Sequence, residues 1–278
     1  MDRVGLSWRP ELAAGILTNL DRIDIVEVIA DDFFDASRNR TAALRTLSAQ
    51  VPIVLHGITQ GLASTAPADP KRLSKMARLV ETLRPESWSE HLAFVRGGGI
   101  EIGHLAAPPR NGATVDGACR NIETARRIVG IAPAMENIAT LIDPPGSTLA
   151  ESEWISKIAA GANCDLLLDL HNLYANGTNF NYHPIEFLDR IPCARVSAVH
   201  LAGGKWIPST ASQRLLDDHL HDVPDPVYDL LTELAARAPH PLTVILERDG
   251  AYPRIDHLLS QLDRARNALA AGRRKRAA

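Results

Sequence analysis

Seven short apolar runs in this 278-residue chain each stop on a side chain able to bind a metal or move a proton: IVEVIADD, PIVLHG, SWSEHLAF, APAMENIA, DLLLDLHN, VSAVHLAGG and TVILERDG. The runs carry Glu27, Asp31, Asp32, His56, Glu90, His91, Glu136, Asn137, Asp169, His171, Asn172, His200, Glu247, Arg248 and Asp249, and the stretch after His200 adds Asp217, Asp218, His219 and His221. Imidazoles and carboxylates next to buried runs are costly unless they are paired or bound to a cation. Mixed histidine and carboxylate sets without thiolates suit iron, manganese or zinc. The set exceeds the three protein ligands of a catalytic zinc. A carboxylate such as Glu136 can bridge two metals. The spacing therefore predicts a dinuclear or trinuclear metal centre, with the remaining histidines, His104, His183, His240 and His257, solvated or packed.

The elements that must position these groups follow from periodicity. Val4–Trp8, Ile23–Ile29, Val51–Gly57, Ser87–Phe94, Ala132–Ile138, Cys164–Leu170, Val196–Leu201 and Leu242–Glu247 read as strands. They are near-continuous apolar runs, as in parallel strands covered on both faces. Helical spacing marks Pro10–Leu20, Thr41–Ala49, Pro70–Leu83, Val115–Val129, Leu149–Ala160, Pro184–Ile191, Pro226–Ala236 and Ile255–Ala270 between and after them. Eight strand–helix units in this length predict an α/β fold, a TIM (β/α)8 barrel, as a single domain over residues 1–278. The carboxyl ends of the strands then form one active-site face. Gly97–Gly112 is expected as a hairpin or lid, and Asn172–His183 and Gly203–Asp225 as long loops.

Composition narrows the field. The chain is 45% hydrophobic and 23% charged, with a formal net charge of -3, so no basic field argues for nucleic acid. Arg273, Arg274, Lys275 and Arg276 form a short basic tail at about 271–278, read as a frayed, solvated helix end. Three scattered cysteines, Cys119, Cys164 and Cys193, make neither a disulfide framework nor a zinc knuckle, and none is placed as a catalytic thiol. Low cysteine usage and no apolar leader predict a cytoplasmic protein, and apolar runs of strand length predict no membrane span.

Seven motifs in fixed order carry a family resemblance: Leu55-His56-Gly57, Ser89-Glu90-His91-Leu92, Glu136-Asn137, Leu167-Leu168-Asp169-Leu170-His171-Asn172, His200-Leu201-Ala202-Gly203, Asp217-Asp218-His219 and Glu247-Arg248-Asp249. From Gly5-Leu6 to the last strand, the chain resembles the multinuclear non-haem iron-dependent oxidases, or DUF692 family, which includes the methanobactin-forming enzyme. The resemblance implies a TIM barrel holding two or three iron ions in mixed Fe2+/Fe3+ states. It implies dioxygen as co-substrate, a ribosomally made precursor peptide modified mostly at cysteine, and a small partner protein that presents the peptide.

By motif, His56, His91, Glu136, Asp169, His200, Asp217, His219 and Glu247 would be iron ligands, with Asn172 a further ligand or a support for one. Glu136, Asp169 and His200 would be central to catalysis, and Glu136 would bridge. His171, where relatives often carry Asn, could add or replace a ligand, and Glu27 and Asp249 are further candidates. Arg248, Lys205 and Trp206 are expected to meet the peptide. Two other enzyme classes build strand-end metal sites on such barrels: divalent-metal sugar isomerases and endonuclease-IV-like phosphodiesterases. Lys205 is the sole strand-end lysine an isomerase could use, and the net charge gives a DNA-cleaving enzyme no support. A non-catalytic metal-bound scaffold that binds a leader peptide is a third reading.

Overall fold

The computed structural model describes residues 1–209 and 213–277. Its strands in chain order are β1 (Arg3–Ser7), β2 (Val26–Ile29), β3 (Ile53–Gly57), β4 (Trp88–His91), β5 (Phe94–Gly97), β6 (Ile100–Ala106), β7 (Ala134–Glu136), β8 (Leu166–Asp169), β9 (Val196–Leu201), β10 (Gly204–Pro208), β11 (Gln213–Asp217) and β12 (Thr243–Leu246). Eight of them close a barrel in the order β1-β12-β9-β8-β7-β4-β3-β2. The expected TIM barrel is the observed fold, and pairs such as β2 with β3 and β12 with β9 run parallel. The other four strands form two antiparallel hairpins, β5–β6 and β10–β11.

The helices are α1 (Ala13–Leu17), α2 (Arg38–Ser48), α3 (Pro70–Leu83), α4 (Gly112–Val129), α5 (Glu151–Gly161), α6 (Leu170–Phe180), α7 (Pro184–Arg190), α8 (Asp225–Arg237) and α9 (Ile255–Ala277). Their starts are set by local chemistry. Ser37 caps α2 and Asp69, followed by Pro70, caps α3. Asn111 and Thr114 form a reciprocal capping box on α4. No helix among the described residues is long and apolar enough to cross a membrane.

By its contacts the chain falls into two compact units, one made of Met1–Ile25, Asn137–Asp143 and Leu167–Ala278, the other of Val26–Glu136 and Pro144–Leu166. The first buries Leu6, Ile16, Val199, Leu231 and Leu246; the second buries Val28, Leu55, Met76, Trp88 and Met135. In the second unit the Trp88 indole N–H donates to the Ile131 carbonyl at 3.1 Å, so its one polar atom is satisfied in the core.

Four segments differ from the sequence expectation, one of them 203–225, expected as a long loop, which carries the β10–β11 hairpin. Asn172–His183, expected as a loop, lies mostly in helix α6, which starts directly at the end of β8. Asn176, Gly177, Thr178 and Asn179 are poor helix formers. Their amides are used tertiarily: Asn176 bonds Ile138 O and Thr140 N at 2.9 Å each, and Asn179 bonds Leu215 O at 2.9 Å and Leu215 N at 2.8 Å. The expected lid begins earlier, because Phe94 leaves the barrel strand for a hairpin turned by Gly98 and Gly99 at φ +58 and +81. The basic tail is not frayed: α9 continues through it, and Arg273 bonds Asp2 at 2.6 Å and the carbonyls of Ala235 and Ala238 at 2.8 and 2.6 Å.

Candidate metal centre

In the unit made of Val26–Glu136 and Pro144–Leu166, three strand ends converge. His56 ends β3 but for Gly57, His91 ends β4 and Glu136 ends β7. Nε2 of His56 and Nε2 of His91 lie 3.4 and 3.3 Å from the same oxygen, Oε2 of Glu136. The two rings meet edge to face with centroids 4.6 Å apart. Each ring is oriented from behind. Nδ1 of His56 is 2.8 Å from Ser89 Oγ, and Nδ1 of His91 is 3.2 Å from the Gly57 carbonyl oxygen. A carbonyl only accepts, so Nδ1 of His91 carries a proton and the ring turns Nε2 toward Glu136. Glu27, buried on β2, has a carboxylate oxygen within 4.8 Å of a His56 ring nitrogen. Glu90 accepts from the backbone N–H of His91 at 2.8 Å and of Gln60 at 3.1 Å, which fixes the turn after β3.

The unit made of Met1–Ile25, Asn137–Asp143 and Leu167–Ala278 holds a second group. Ligand-capable atoms of Asp169, His200 and Glu247 lie within 4.8 Å of one another, and all three side chains are buried. Nδ1 of His200 is 3.1 Å from Glu247 Oε2. His219 extends the group, with Nδ1 3.4 Å from Glu247 and 3.3 Å from Asp249, and Nε2 3.0 Å from Asp217. Burial favours its neutral form, yet the Glu247 and Asp217 carboxylates hold the His219 imidazole well above its ordinary range. Burial likewise opposes the Asp217 carboxylate, but His219 and the hydrogen bond from His171 hold it down at about 2. Asp169 Oδ1 accepts the Asn172 N–H at 2.6 Å and so caps α6. Asn137 pairs in both directions with the Asp169 backbone, at 2.9 and 3.0 Å.

The remaining sequence candidates fall elsewhere. Arg248 is buried, and its guanidinium donates to Gly250 O, Ala251 O and Asp222. Lys205 and Trp206 lie on β10 with exposed side chains, Lys205 at 3.6 Å from Asp218. His221 pairs with Asp218 at the surface, His257 with Asp222, and His183 caps α7. Asp31 takes the Ile58 N–H at 2.9 Å and orders the turn after β3. Ser89 and Asn137, which orient His56 and Asp169, are supports that the strand-end pattern does not mark. The signal for Ser89 was its place two residues before His91, on the same face of β4.

The donor set fits a cation. It combines imidazole nitrogens with buried carboxylates and holds no thiolate. Among the described residues, Asn172 Oδ1 and His171 Nε2 are buried with no hydrogen-bond partner, which is costly unless an electrophile completes them.

Barrel and clusters together define the class: a TIM barrel with metal-competent histidine and carboxylate groups at its strand ends. A family model described as RiPP precursor modification enzyme MbnB/TglH/ChrH matches residues 3–270, and the chain belongs to that family. A UPF0276 protein of Streptomyces avermitilis is 34% identical over 272 residues, which cover 95% of this chain and 54% of that protein; the chain spans about half the length of this relative. A UPF0276 protein of Caulobacter vibrioides is 30% identical over 274 residues, covering 98% of this chain and 96% of that one. The solved structure of an L-ribulose 3-epimerase superposes with a TM-score of 0.61 at 14% identity, covering 99% of this chain and 97% of that one, a likeness of fold alone.

Proposed function

We propose that the chain is a non-haem iron-dependent oxidase that uses dioxygen to modify a ribosomally synthesised precursor peptide at cysteine. The observation that carries this reading is the coincidence of a family match over residues 3–270 with two buried imidazole–carboxylate groups inside it. His56, His91 and Glu136 in one group, and Asp169, His200, Glu247, Asp217 and His219 in the other, would hold two or three iron ions in mixed Fe2+/Fe3+ states, with Asn172 as a further donor and Glu27, His171 and Asp249 in support. Iron supplies one-electron chemistry with dioxygen and lowers the pKa of a thiol bound to it. The chain's own residues supply orientation and charge. Ser89 and the Gly57 carbonyl fix the rings of His56 and His91. Glu136, approached by both rings through one oxygen, would serve as a carboxylate ligand beside them. Asp217 remains a carboxylate at any working pH.

The substrate thiol comes from the peptide, since Cys119, Cys164 and Cys193 belong to neither group. Trp206 and Lys205 offer an exposed aromatic face and a cation to that peptide. A small partner protein presents it, and the whole barrel acts as one domain over residues 1–278 in the cytoplasm.

Anaerobic reconstitution with ferrous iron, followed by metal analysis, tests the first half. Incubation with oxygen and synthetic cysteine-bearing precursor peptides, read by mass spectrometry, tests the second. Iron should bind at two or more equivalents, and His200→Ala should abolish the mass change. Protein that takes up no iron sinks the reading.

A further inference from the structure

In the unit that contains His219, one guanidinium joins the two segments that carry most of the acidic and imidazole groups. Arg248 is 7% exposed. Its Nε donates to Gly250 O at 2.8 Å, its Nη2 to Ala251 O at 2.8 Å and its Nη1 to Asp222 at 3.3 Å. Asp222 is held in turn by His257 Nε2 at 2.7 Å and Gln261 Nε2 at 3.2 Å, both from α9, and Gln261 Oε1 accepts the Val223 N–H at 3.0 Å. The turn after β12 is thus tied to the segment after β11 and to α9.

Between the tied segments runs one backbone bond, from Asp249 N to His219 O at 3.0 Å. His219 and Ala251 both lie in the left-handed region, at φ +54 and +44. A side-chain-bearing residue keeps such a backbone where its surroundings enforce it, and such residues gather at functional sites. Here the enforcing bonds are the Arg248 clamp on Ala251, the Asp249–His219 bond, and the bond from His219 N to Gly203 O at 3.0 Å. The result is a ring whose Nδ1 lies 3.4 Å from Glu247 and 3.3 Å from Asp249. A bidentate or forked arrangement of this kind is one that arginine makes and lysine does not.

We infer that Arg248 is a positioning residue: by clamping Gly250, Ala251 and Asp222 it holds His219 in its left-handed backbone, with the ring against Glu247 and Asp249, and thereby sets the metal affinity of that group. The clause on metal affinity rests on the iron reading; the clamp itself does not.

The test compares Arg248→Met and Asp222→Asn with Arg273→Met, which removes another arginine clamp, one that joins α9 to Asp2 and the end of α8 and touches neither imidazole–carboxylate group. In metal-free protein, Arg248→Met should speed hydrogen exchange at the Asp249 amide by about tenfold or more, the effect of losing a charge-assisted hydrogen bond. With ferrous ion alone under nitrogen, one class of site should weaken by about 10–100-fold, as expected when a support behind a ligand is removed. Asp222→Asn should shift both readouts the same way by less, and decides the matter if Arg248→Met does not fold. Arg273→Met should lower thermal stability and leave both readouts at their wild-type values. Exchange and ferrous affinity in the Arg248 and Asp222 variants equal to those of Arg273→Met overturn the inference. A wild-type protein that binds no iron sinks the oxidase reading, while the exchange comparison still decides the clamp.

Discussion

Nδ1 of His171 lies 2.6 Å from Oδ1 of Asp217, a hydrogen bond that joins the first turn of α6 to the last residue of β11. His171 is fully buried, and its Nε2 has no hydrogen-bond partner among the described residues. Gly204 packs so close to this ring that a Cβ there would meet Cε1 at 2.6 Å. His171 therefore acts on Asp217, whichever role its second nitrogen takes. His171→Ala is expected to weaken ferrous binding by about 10–100-fold while far-ultraviolet circular dichroism stays unchanged. Equal affinity in variant and wild type, measured by anaerobic equilibrium dialysis, contradicts that role.

Metal should stabilise the fold. A cation that binds the folded chain and not the unfolded one adds about 2.7 kcal/mol per site at a hundredfold excess over its dissociation constant. The thermal midpoint is expected to rise on ferrous loading and to fall back on chelation. In His91→Ala, which removes one of the two rings facing Glu136, the rise should shrink and the bound iron should drop. A midpoint indifferent to iron in the wild type would count against cation binding by these clusters.

Asn121 governs the segment after β3. Its Nδ2 donates to the carbonyls of Leu62, Ser64 and Ala66 at 3.0 Å each, and its Oδ1 accepts the Ala68 N–H at 2.9 Å. Asn121→Ala leaves these groups without their partner, at about 1–3 kcal/mol for each one that stays buried. Urea unfolding should show a loss of at least about 2 kcal/mol; a smaller loss means that the segment rearranges to satisfy itself.

The Asp2–Arg273 pair makes stability depend on acid. Burial raises the Asp2 carboxyl, but hydrogen bonds from Arg273 and the Leu242 N–H outweigh it and hold the group below its ordinary 3.8. A folded value below the unfolded one gives stability that is present above 3.8 and lost as pH falls through the folded value. The gap in thermal midpoint between wild type and Asp2→Asn should be constant near neutrality and close as the pH is taken below 3.8. A gap that stays constant into acid would mean that the contact stabilises by packing rather than by charge.

The barrel was legible because strands buried on both faces read as continuous apolar runs, such as Leu166–Asp169 and Ile53–Gly57. The histidines and carboxylates were legible for the same reason: a His56 or Glu136 at the end of such a run is conspicuous. Helix α6 was hidden because its asparagines are held by tertiary amide bonds that no local propensity reflects. The inward turn of Arg248 was also hidden. Nothing in the sequence around a strand-end arginine reveals its acceptors, here Gly250 O, Ala251 O and Asp222.

Asp169 ends β8 and caps α6 with no residue between them, through one oxygen placed 2.6 Å from the Asn172 N–H. A chain in which α6 has not wound lacks an aligned carboxylate at this corner. The carboxylate that stands ready for a cation at this corner is therefore aligned by the same bond that starts the helix. A glutamate at 169 would keep the charge but, one methylene longer, would hold the cap and the free carboxylate oxygen in a different geometry.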